Sequence, residues 1–281
     1  MASGPERFID GLLFPEGLRW HAGELWFSDF NQRRVFSADQ TGTVREHAFV
    51  GAQPSGLGFT PAGETLVVGM YDRNLLKLVD GHATLVANLG SVVTGPVNDL
   101  FVDAVGRAYV TGFGYEAMYI GMDPSITTCL AFVDTDGSVR AEAPGLAMPN
   151  GIVGTPDGKT MIVAETTRRR LSVFDVADDG SLSNQRLFAD LGHRAPDGLA
   201  IDAEGAIWVA TFDTGEVVRV REGGEVLQVV KTGGAWATAC ALGGPNGHTL
   251  YCAVADTDIA RARQGRSTGW IEAVTVDVPA P

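Results

Sequence analysis

Pro149-Asn150-Gly151 opens an apolar run, and a Pro-x-Gly frame stands at the same point of the repeat at three more places in the chain. The other copies are Pro15-Glu16-Gly17, Pro54-Ser55-Gly56 and Pro196-Asp197-Gly198. After each copy come a short apolar run, a turn that contains glycine, and a second apolar run. Alignment on that turn adds an altered fifth copy at Val97-Asn98-Asp99 and a sixth at Ala239. Segments that repeat every ~40–50 residues are typical of β-propellers and solenoids.

The segments between the copies carry the signals of β-hairpins. Runs rich in Val, Ile, Leu and Trp are broken by Asp-Gly and Pro-Asp-Gly turns, as at residues 156–158. We therefore predict an all-β fold, a six-bladed β-propeller with about four antiparallel strands per blade, formed by residues 1–281 as a single domain. Residues 7–13 form a strand without a blade of its own. We expect it to close the last blade beside residues 271–275.

Composition and charge limit the class of partner. The chain has 281 residues, of which 45% are hydrophobic, so it can bury a sizeable core. Its formal net charge of −13 argues against nucleic acid and anionic membranes as partners. We find no secretion signal and no apolar run long enough to span a membrane, so we expect a cytoplasmic protein. The oligomeric state is left open.

The three cysteines also favour a reducing compartment, because their number is odd and small. Cys240 and Cys252 flank the turn at residues 244–247 almost symmetrically. They are expected to face each other across a hairpin as free thiols, with a cross-strand bridge as the alternative.

The middle position of the repeated frame carries Glu16, Ser55, Asn98, Asn150 and Asp197. In a propeller, equivalent positions of the blades surround one axis, so these oxygen-bearing side chains should converge. A hard divalent cation takes carboxylate and amide oxygens and completes its shell with water. Glu16, Asn150 and Asp197 are therefore candidate metal ligands, and Ser55 and Asn98 candidate substrate contacts. The alternative is that Asn and Asp occupy these positions because they favour turns.

Residues 112–128 separate two strands of the third repeat, where other repeats need only a few residues. The insertion is apolar, and we interpret it as a partial lid over the channel, with a simple packing loop as the alternative. Tyr115 in this loop and Trp236 belong to a predicted apolar rim of the substrate site. Glu165 ends a second strand and is predicted to be a buried acid that contacts substrate, or else an exposed strand end.

At these residues the sequence resembles the senescence marker protein/gluconolactonase family, which includes regucalcin-like proteins and drug-responsive lactonases. The motifs that carry the resemblance extend over most of the chain: Phe14-Pro-Glu-Gly17, Pro149-Asn-Gly-Ile152, Asp197-Gly-Leu-Ala200 and Gly243-Gly-Pro245. The resemblance implies a six-bladed propeller with one divalent metal in its channel, Ca²⁺ first and Zn²⁺, Mg²⁺ or Mn²⁺ as alternatives. It also implies that Glu16, Asn150 and Asp197 bind this metal. Asp197 would in addition be the general base, and Asn98 would contact metal or substrate.

One position departs from the pattern of the sugar-lactone members. They often carry an arginine two residues before the asparagine that corresponds to Asn98, and here that residue is Pro96. With the apolar rim of Met70, Phe113, Tyr115 and Trp236, this favours a less polar lactone or ester as the substrate.

The function predicted from the sequence is metal-dependent hydrolysis of a small-molecule lactone. The metal would polarise the carbonyl and Asp197 would accept a proton from water. Two alternatives stay open. The chain could hydrolyse another activated ester, or it could be a non-catalytic, metal-containing propeller that binds a small molecule or a protein.

Overall fold

β-Strands form most of the structure, a computed structural model that describes residues 4–281. The predicted all-β, propeller-like fold is confirmed. Within the described residues the strands form five sheets, four with four strands and one with eight. Two short helices accompany them, α1 (Ala117–Ile120) and α2 (Ile259–Arg263).

The eight-stranded sheet contains two consecutive antiparallel runs of four strands. They are joined only by a parallel β5–β9 contact at Phe49 and His82. The strands of this sheet are β2 (Pro15–His21), β3 (Glu24–Asp29), β4 (Arg34–Ala38), β5 (Val44–Phe49), β6 (Pro54–Phe59), β7 (Thr65–Gly69), β8 (Asn74–Val79) and β9 (His82–Asn88). The structure thus shows five sheets where the sequence predicts six separate blades.

Three of the four-stranded sheets are each formed by four consecutive strands. Their strands are β10 (Val97–Val102), β11 (Ala108–Gly112), β12 (Thr128–Val133), β13 (Val139–Leu146), β14 (Pro149–Gly154), β15 (Thr160–Glu165), β16 (Arg170–Val176), β17 (Leu182–Asp190), β18 (Pro196–Ile201), β19 (Ile207–Thr211), β20 (Glu216–Val220) and β21 (Val226–Lys231). Hairpin turns connect the successive strands within each sheet, as the repeated turn signals predict, except that residues 113–127 separate β11 from β12.

The remaining sheet joins the two ends of the chain. Its strands are β1 (Glu6–Leu12), β22 (Trp236–Gly243), β23 (Thr249–Asp256) and β24 (Thr268–Thr275). β1 pairs antiparallel with β24, from Glu6 opposite Ala273 to Leu12 opposite Gly269. The expected pairing of the N-terminal strand beside the C-terminal strand is therefore confirmed. Cys240 and Cys252 lie opposite each other in this sheet, and both are buried free thiols, as expected.

Each copy of the Pro-x-Gly frame begins the first strand of a four-stranded run, and these first strands contact one another around a ring. The glycine is needed because the neighbouring backbone comes very close. A Cβ on Gly151 would lie 2.3 Å from the carbonyl oxygen of Asp197, and one on Gly56 would lie 2.6 Å from the Cα of Asp99. Close approach of two backbones is a recognised role of glycine in strands.

The strand register shifts at the frame in every one of these first strands. In β14, for example, the shift lies between Pro149 and Ile152. Such bulges re-aim side chains and occur often next to active sites. Here they fall on the residues that the repeat alignment marks as functional candidates. No helix within residues 4–281 combines the length and the apolar character that crossing a bilayer requires.

Candidate active site

Four side chains of the repeated frame share one cavity at the centre of the ring of first strands. Glu16, Asn98, Asn150 and Asp197 come from β2, β10, β14 and β18, and all four line the cavity. Asn98, Asn150 and Asp197 are buried, with 4%, 5% and 7% of their surface exposed. Glu16 is partly buried. The structure therefore brings these residues together, although they are far apart in the chain.

A chain of hydrogen bonds connects the polar groups. The hydroxyl of Ser55 donates to Oδ1 of Asn98 at 2.8 Å, and Nδ2 of Asn98 donates to Oδ1 of Asn150 at 2.5 Å. The side chain of Asn150 also acts on the carboxylate of Asp197, where hydrogen bonding lowers the pKa of that acid. Ser55 is itself buried and does not line the cavity. Ser55 therefore acts on the cavity through Asn98, which its hydroxyl orients. The sequence analysis had instead placed Ser55 in contact with substrate.

Burial and mutual repulsion act on both carboxylates of the site. Desolvation raises the pKa of Glu16 well above its usual value, and the charges of Asp197 and Asp99 raise it further. Desolvation also raises the pKa of Asp197, followed by the charge of Asp99, against the hydrogen bond from Asn150. Within residues 4–281, neither carboxylate forms an ion pair. Glu16 and Asp197 thus line the same cavity, and neither carboxylate has a cationic partner among the described residues.

The nearest cation in the described part of the chain is already engaged. Nη2 of Arg19 donates to Oδ1 of Asp99 at 2.6 Å and to the carbonyl oxygen of Leu100 at 2.8 Å. The charge of Arg19 lowers the pKa of Glu16, but this effect is smaller than the increase caused by burial and by the charges of Asp197 and Asp99. The Arg19–Asp99 pair was not found from the sequence. The altered fifth copy of the frame, which has Asp99 where the four Pro-x-Gly copies have glycine, was its only signal.

The donor set fits a hard divalent cation. Carboxylate and amide oxygens are the groups that such ions prefer, and a cation would offset the charge of Glu16 and Asp197. Oδ1 of Asn150 has a second lone pair besides the one that accepts from Asn98. Among residues 4–281, no three His, Cys, Asp or Glu side chains form a metal-sized group. A metal would therefore depend on amide oxygen as well as on the two carboxylates.

Above this polar floor the cavity wall is apolar. Trp236 packs edge-on against Phe14 and Phe212, with ring centroids 6.1 and 5.4 Å apart. Met70 and Phe113 contribute to another part of the wall. Trp236 and Phe113 were predicted from the sequence to lie at the rim, and the structure places both at the cavity.

Two segments cover the mouth of the cavity. The insertion at residues 112–128 contains α1, and its Met118 and Met122 line the cavity. The second segment is α2, of which Ile259 and Ala262 line the cavity. The sequence analysis did not identify α2, although Asp258 caps it by accepting a hydrogen bond from the backbone of Arg261.

Two predicted substrate contacts lie elsewhere. Tyr115 is buried beside the cavity but does not line it, and its hydroxyl accepts a hydrogen bond from the backbone nitrogen of Asp123. Glu165 is fully buried and also does not line the cavity. Its carboxylate accepts from Arg168 at 2.9 Å and from Arg170 and Ser172 at 2.7 and 2.6 Å. Both side chains are therefore engaged in hydrogen bonds outside the cavity lining.

Comparison with known proteins adds to this geometry. Residues 14–256 match the family model described as the SMP-30/Gluconolactonase/LRE-like region. The chain is 28% identical over 220 residues to 6-deoxy-6-sulfogluconolactonase of Pseudomonas putida, covering 74% of this chain and 72% of that protein. It is 27% identical over 266 residues to pentonolactonase XacC of Haloferax volcanii, covering 90% and 86%.

A solved structure shares the fold over the whole chain. The calcium-binding protein regucalcin from Agrobacterium tumefaciens superimposes with a TM-score of 0.80, covering 100% of this chain and 96% of that one. The two sequences are 22% identical, so this likeness concerns the fold.

Proposed function

The chain belongs to the SMP-30/gluconolactonase/LRE-like family, and we propose that it is a metal-dependent lactonase whose general base is Asp197. The observation that carries the proposal is a pair of carboxylates, the buried Asp197 and the partly buried Glu16, which face one cavity and form no ion pair within residues 4–281. An uncompensated buried charge is costly, so such a pair is retained where function needs it. Relatives with lactonase names support lactone hydrolysis as the reaction.

Glu16, Asn150 and Asp197 would hold the metal in this proposal, with Ca²⁺ as the first candidate. When bound, a divalent ion of this kind would polarise the ester carbonyl and lower the pKa of water. Asn98 would meet the substrate or the metal from β10, kept in orientation by the hydroxyl of Ser55. The relative whose solved structure is named a calcium-binding protein supports the choice of metal.

Asp197 would take part in each proton transfer. Its carboxylate accepts a proton from water as the water oxygen forms a bond to the lactone carbonyl carbon. The bond between that carbon and the ring oxygen then breaks, and the proton passes to the departing ring oxygen. The product is an open hydroxy acid. The apolar wall excludes bulk water from the reacting ring, which strengthens the electrostatic interactions in the site.

The same proposal includes the architecture. We take the eight-stranded sheet as two blades, because β5 and β9 meet at one parallel pair only. The chain would then be a single six-bladed propeller from residue 1 to residue 281, with its metal on the central axis. A small-molecule lactone would reach that metal through the mouth between α1 and α2.

The test is a lactone panel assayed with protein stripped by a chelator and then supplied with Ca²⁺, Zn²⁺, Mg²⁺ or Mn²⁺. We expect hydrolysis to disappear on stripping and to return with one of these ions. Activity on aryl esters but on no lactone would move the reaction to another ester. Metal binding without hydrolysis of either class would contradict the proposed enzyme and favour a binding protein.

A further inference from the structure

The wall of the cavity, more than its floor, decides which lactone fits. Within the lactonase activity proposed above, on which this inference rests, we infer that the substrate is an uncharged lactone with an alkyl or aryl substituent. A polyhydroxylated or anionic sugar lactone would be a poor substrate. Three observations carry the inference: no cationic side chain among the described residues of the cavity lining, few hydrogen-bonding groups above the floor, and the apolar mouth.

Charge is the first observation. Among the described residues that line the cavity there is no Lys, Arg or His, whereas both carboxylates of the floor are acidic. An anionic substituent on the substrate would find no cationic side chain to pair with, and the two carboxylates would already balance the charge of a divalent ion on the floor. An uncharged substrate needs no such partner.

Hydrogen bonding is the second observation. Among the described lining residues outside the floor, three side chains carry a hydrogen-bonding group: the hydroxyls of Tyr71 and Thr166 and the indole N–H of Trp236. The hydroxyl of Thr166 already donates to the carbonyl oxygen of Pro196 at 2.8 Å. A sugar lactone would therefore lose more hydrogen bonds to water than this wall replaces, and a site rejects ligands whose polar groups it leaves unpaired.

The third observation is that apolar surface continues from the reacting end to the solvent. Phe14, Phe212 and Trp236 form one wall, and at the mouth Met118 of the insertion and Ile259 of α2 also line the cavity. Methionine side chains are flexible and adapt to different apolar partners. A substituent on the lactone ring can thus lie along this surface with its far end between α1 and α2.

A cation–π contact connects the two covering segments outside the cavity. The guanidinium carbon of Arg263 in α2 lies 4.1 Å from the ring centre of Tyr119 in α1. Tyr119 is 63% exposed, so this contact is formed at the protein surface. The positive charge of Arg263 is directed to this outer ring, and Arg263 does not line the cavity. The contact joins α1 and α2, and the charge of Arg263 also acts on the lining residue Tyr71, where it opposes the rise in the pKa of the phenol.

A matched series of γ-lactones tests the inference. The ring is kept constant while a linear alkyl substituent is lengthened one carbon at a time, and D-glucono-δ-lactone and a pentono-γ-lactone serve as polar comparators. Hydrolysis is followed by acid release at saturating metal and corrected for spontaneous opening. We expect kcat/KM to rise by about fourfold per methylene until the cavity is filled. The longer members should exceed both sugar lactones.

Two variants in α1 test whether the apolar mouth causes the dependence of kcat/KM on chain length. Met118→Gln places an amide of similar size in the mouth, and we expect it to reduce kcat/KM for the longest alkyl lactone by about tenfold and to flatten the chain-length series. Ile120→Gln makes the same kind of change at a residue of α1 that is 72% exposed and does not line the cavity, so the series should stay as in the wild type. Equal effects of both variants would overturn the assignment of the mouth.

The outcomes separate this inference from the proposed activity. Faster turnover of sugar lactones than of alkyl lactones would overturn the inference and leave the lactonase in place. Hydrolysis of no lactone in the panel would refute the activity itself. A flat series across the alkyl lactones, with sugar lactones slower, would also contradict the inference, because burial of the substituent would then contribute nothing.

Discussion

Two groups of buried carboxylates in this protein differ in what surrounds them. Glu165, fully buried, is held by two arginines, one serine hydroxyl and the backbone nitrogen of Ala147. Glu16 and Asp197 face each other's charge and form no ion pair within residues 4–281. A buried carboxylate that forms ion pairs, such as Glu165, contributes to the structure. Two neighbouring carboxylates without ion pairs, such as Glu16 and Asp197, repel each other and would be stabilised by a bound cation. Burial alone therefore does not identify a functional acid. The presence or absence of cationic partners distinguishes the two groups.

The largest expected effect comes from neutralising Asp197, one of the two carboxylates that form no ion pair within residues 4–281. Asp197→Asn keeps the shape of the side chain and removes the general base, so kcat should fall by about 10²–10⁴-fold. Thermal stability without metal should stay equal or rise, because the repulsion with Glu16 is gone. Lactone hydrolysis and thermal unfolding of the same preparation check both expectations. Wild-type turnover in this variant would refute the role of Asp197.

A bound metal ion should stabilise the folded protein through Glu16, Asn150 and Asp197. At a concentration of Ca²⁺ one hundred times its Kd, the free energy of unfolding should rise by about 2.7 kcal/mol. The increase should be absent or small in Asp197→Asn and intact in Glu165→Gln. Thermal melts with and without the ion measure it, and KCl at equal ionic strength controls for screening. An equal increase in both variants would place the ion elsewhere.

Neutralising the paired acid should affect stability and leave the chemistry alone. In Glu165→Gln, Arg168 and Arg170 lose their partner, and each is about one-third exposed, so water compensates part of the loss. We expect the free energy of unfolding to fall by about 1–3 kcal/mol. Denaturant titration measures this change, and kcat/KM per folded molecule should be unchanged. A selective loss of activity would return Glu165 to the active site.

Two buried serines give the smallest and sharpest contrast. Ser55 donates to Asn98 in the site at 2.8 Å, and Ser172 donates to Glu165 at 2.6 Å. Replacing either by alanine should cost about 1–3 kcal/mol of stability, since each substitution removes a buried hydrogen bond. Only Ser55→Ala should also reduce kcat/KM, because Asn98 loses the bond that orients it. If both variants lowered kcat/KM equally, the effect would be one of general stability.

Much of the site could be predicted because the frame repeats. Equivalent positions in repeated strands have the same local backbone, so their side chains point to the same axis once the ring closes. This places Glu16, Asn98, Asn150 and Asp197 in one cavity. The role of Glu165 was missed although its signal is local: Arg168 to Arg170 follow it in the sequence. Three arginines after a buried acid indicate an ion-pair network.

The sequence by itself determined the repeats, the strands between them, and the glycines that let neighbouring first strands approach. These features are local, and periodicity records them directly. Only the tertiary structure decided which acids lack a cation, because the charges that meet in the cavity come from strands far apart in the chain. It also decided the character of the cavity wall. Phe14, Phe212 and Trp236 carry no common motif, and ring closure alone brings them together with α1 and α2.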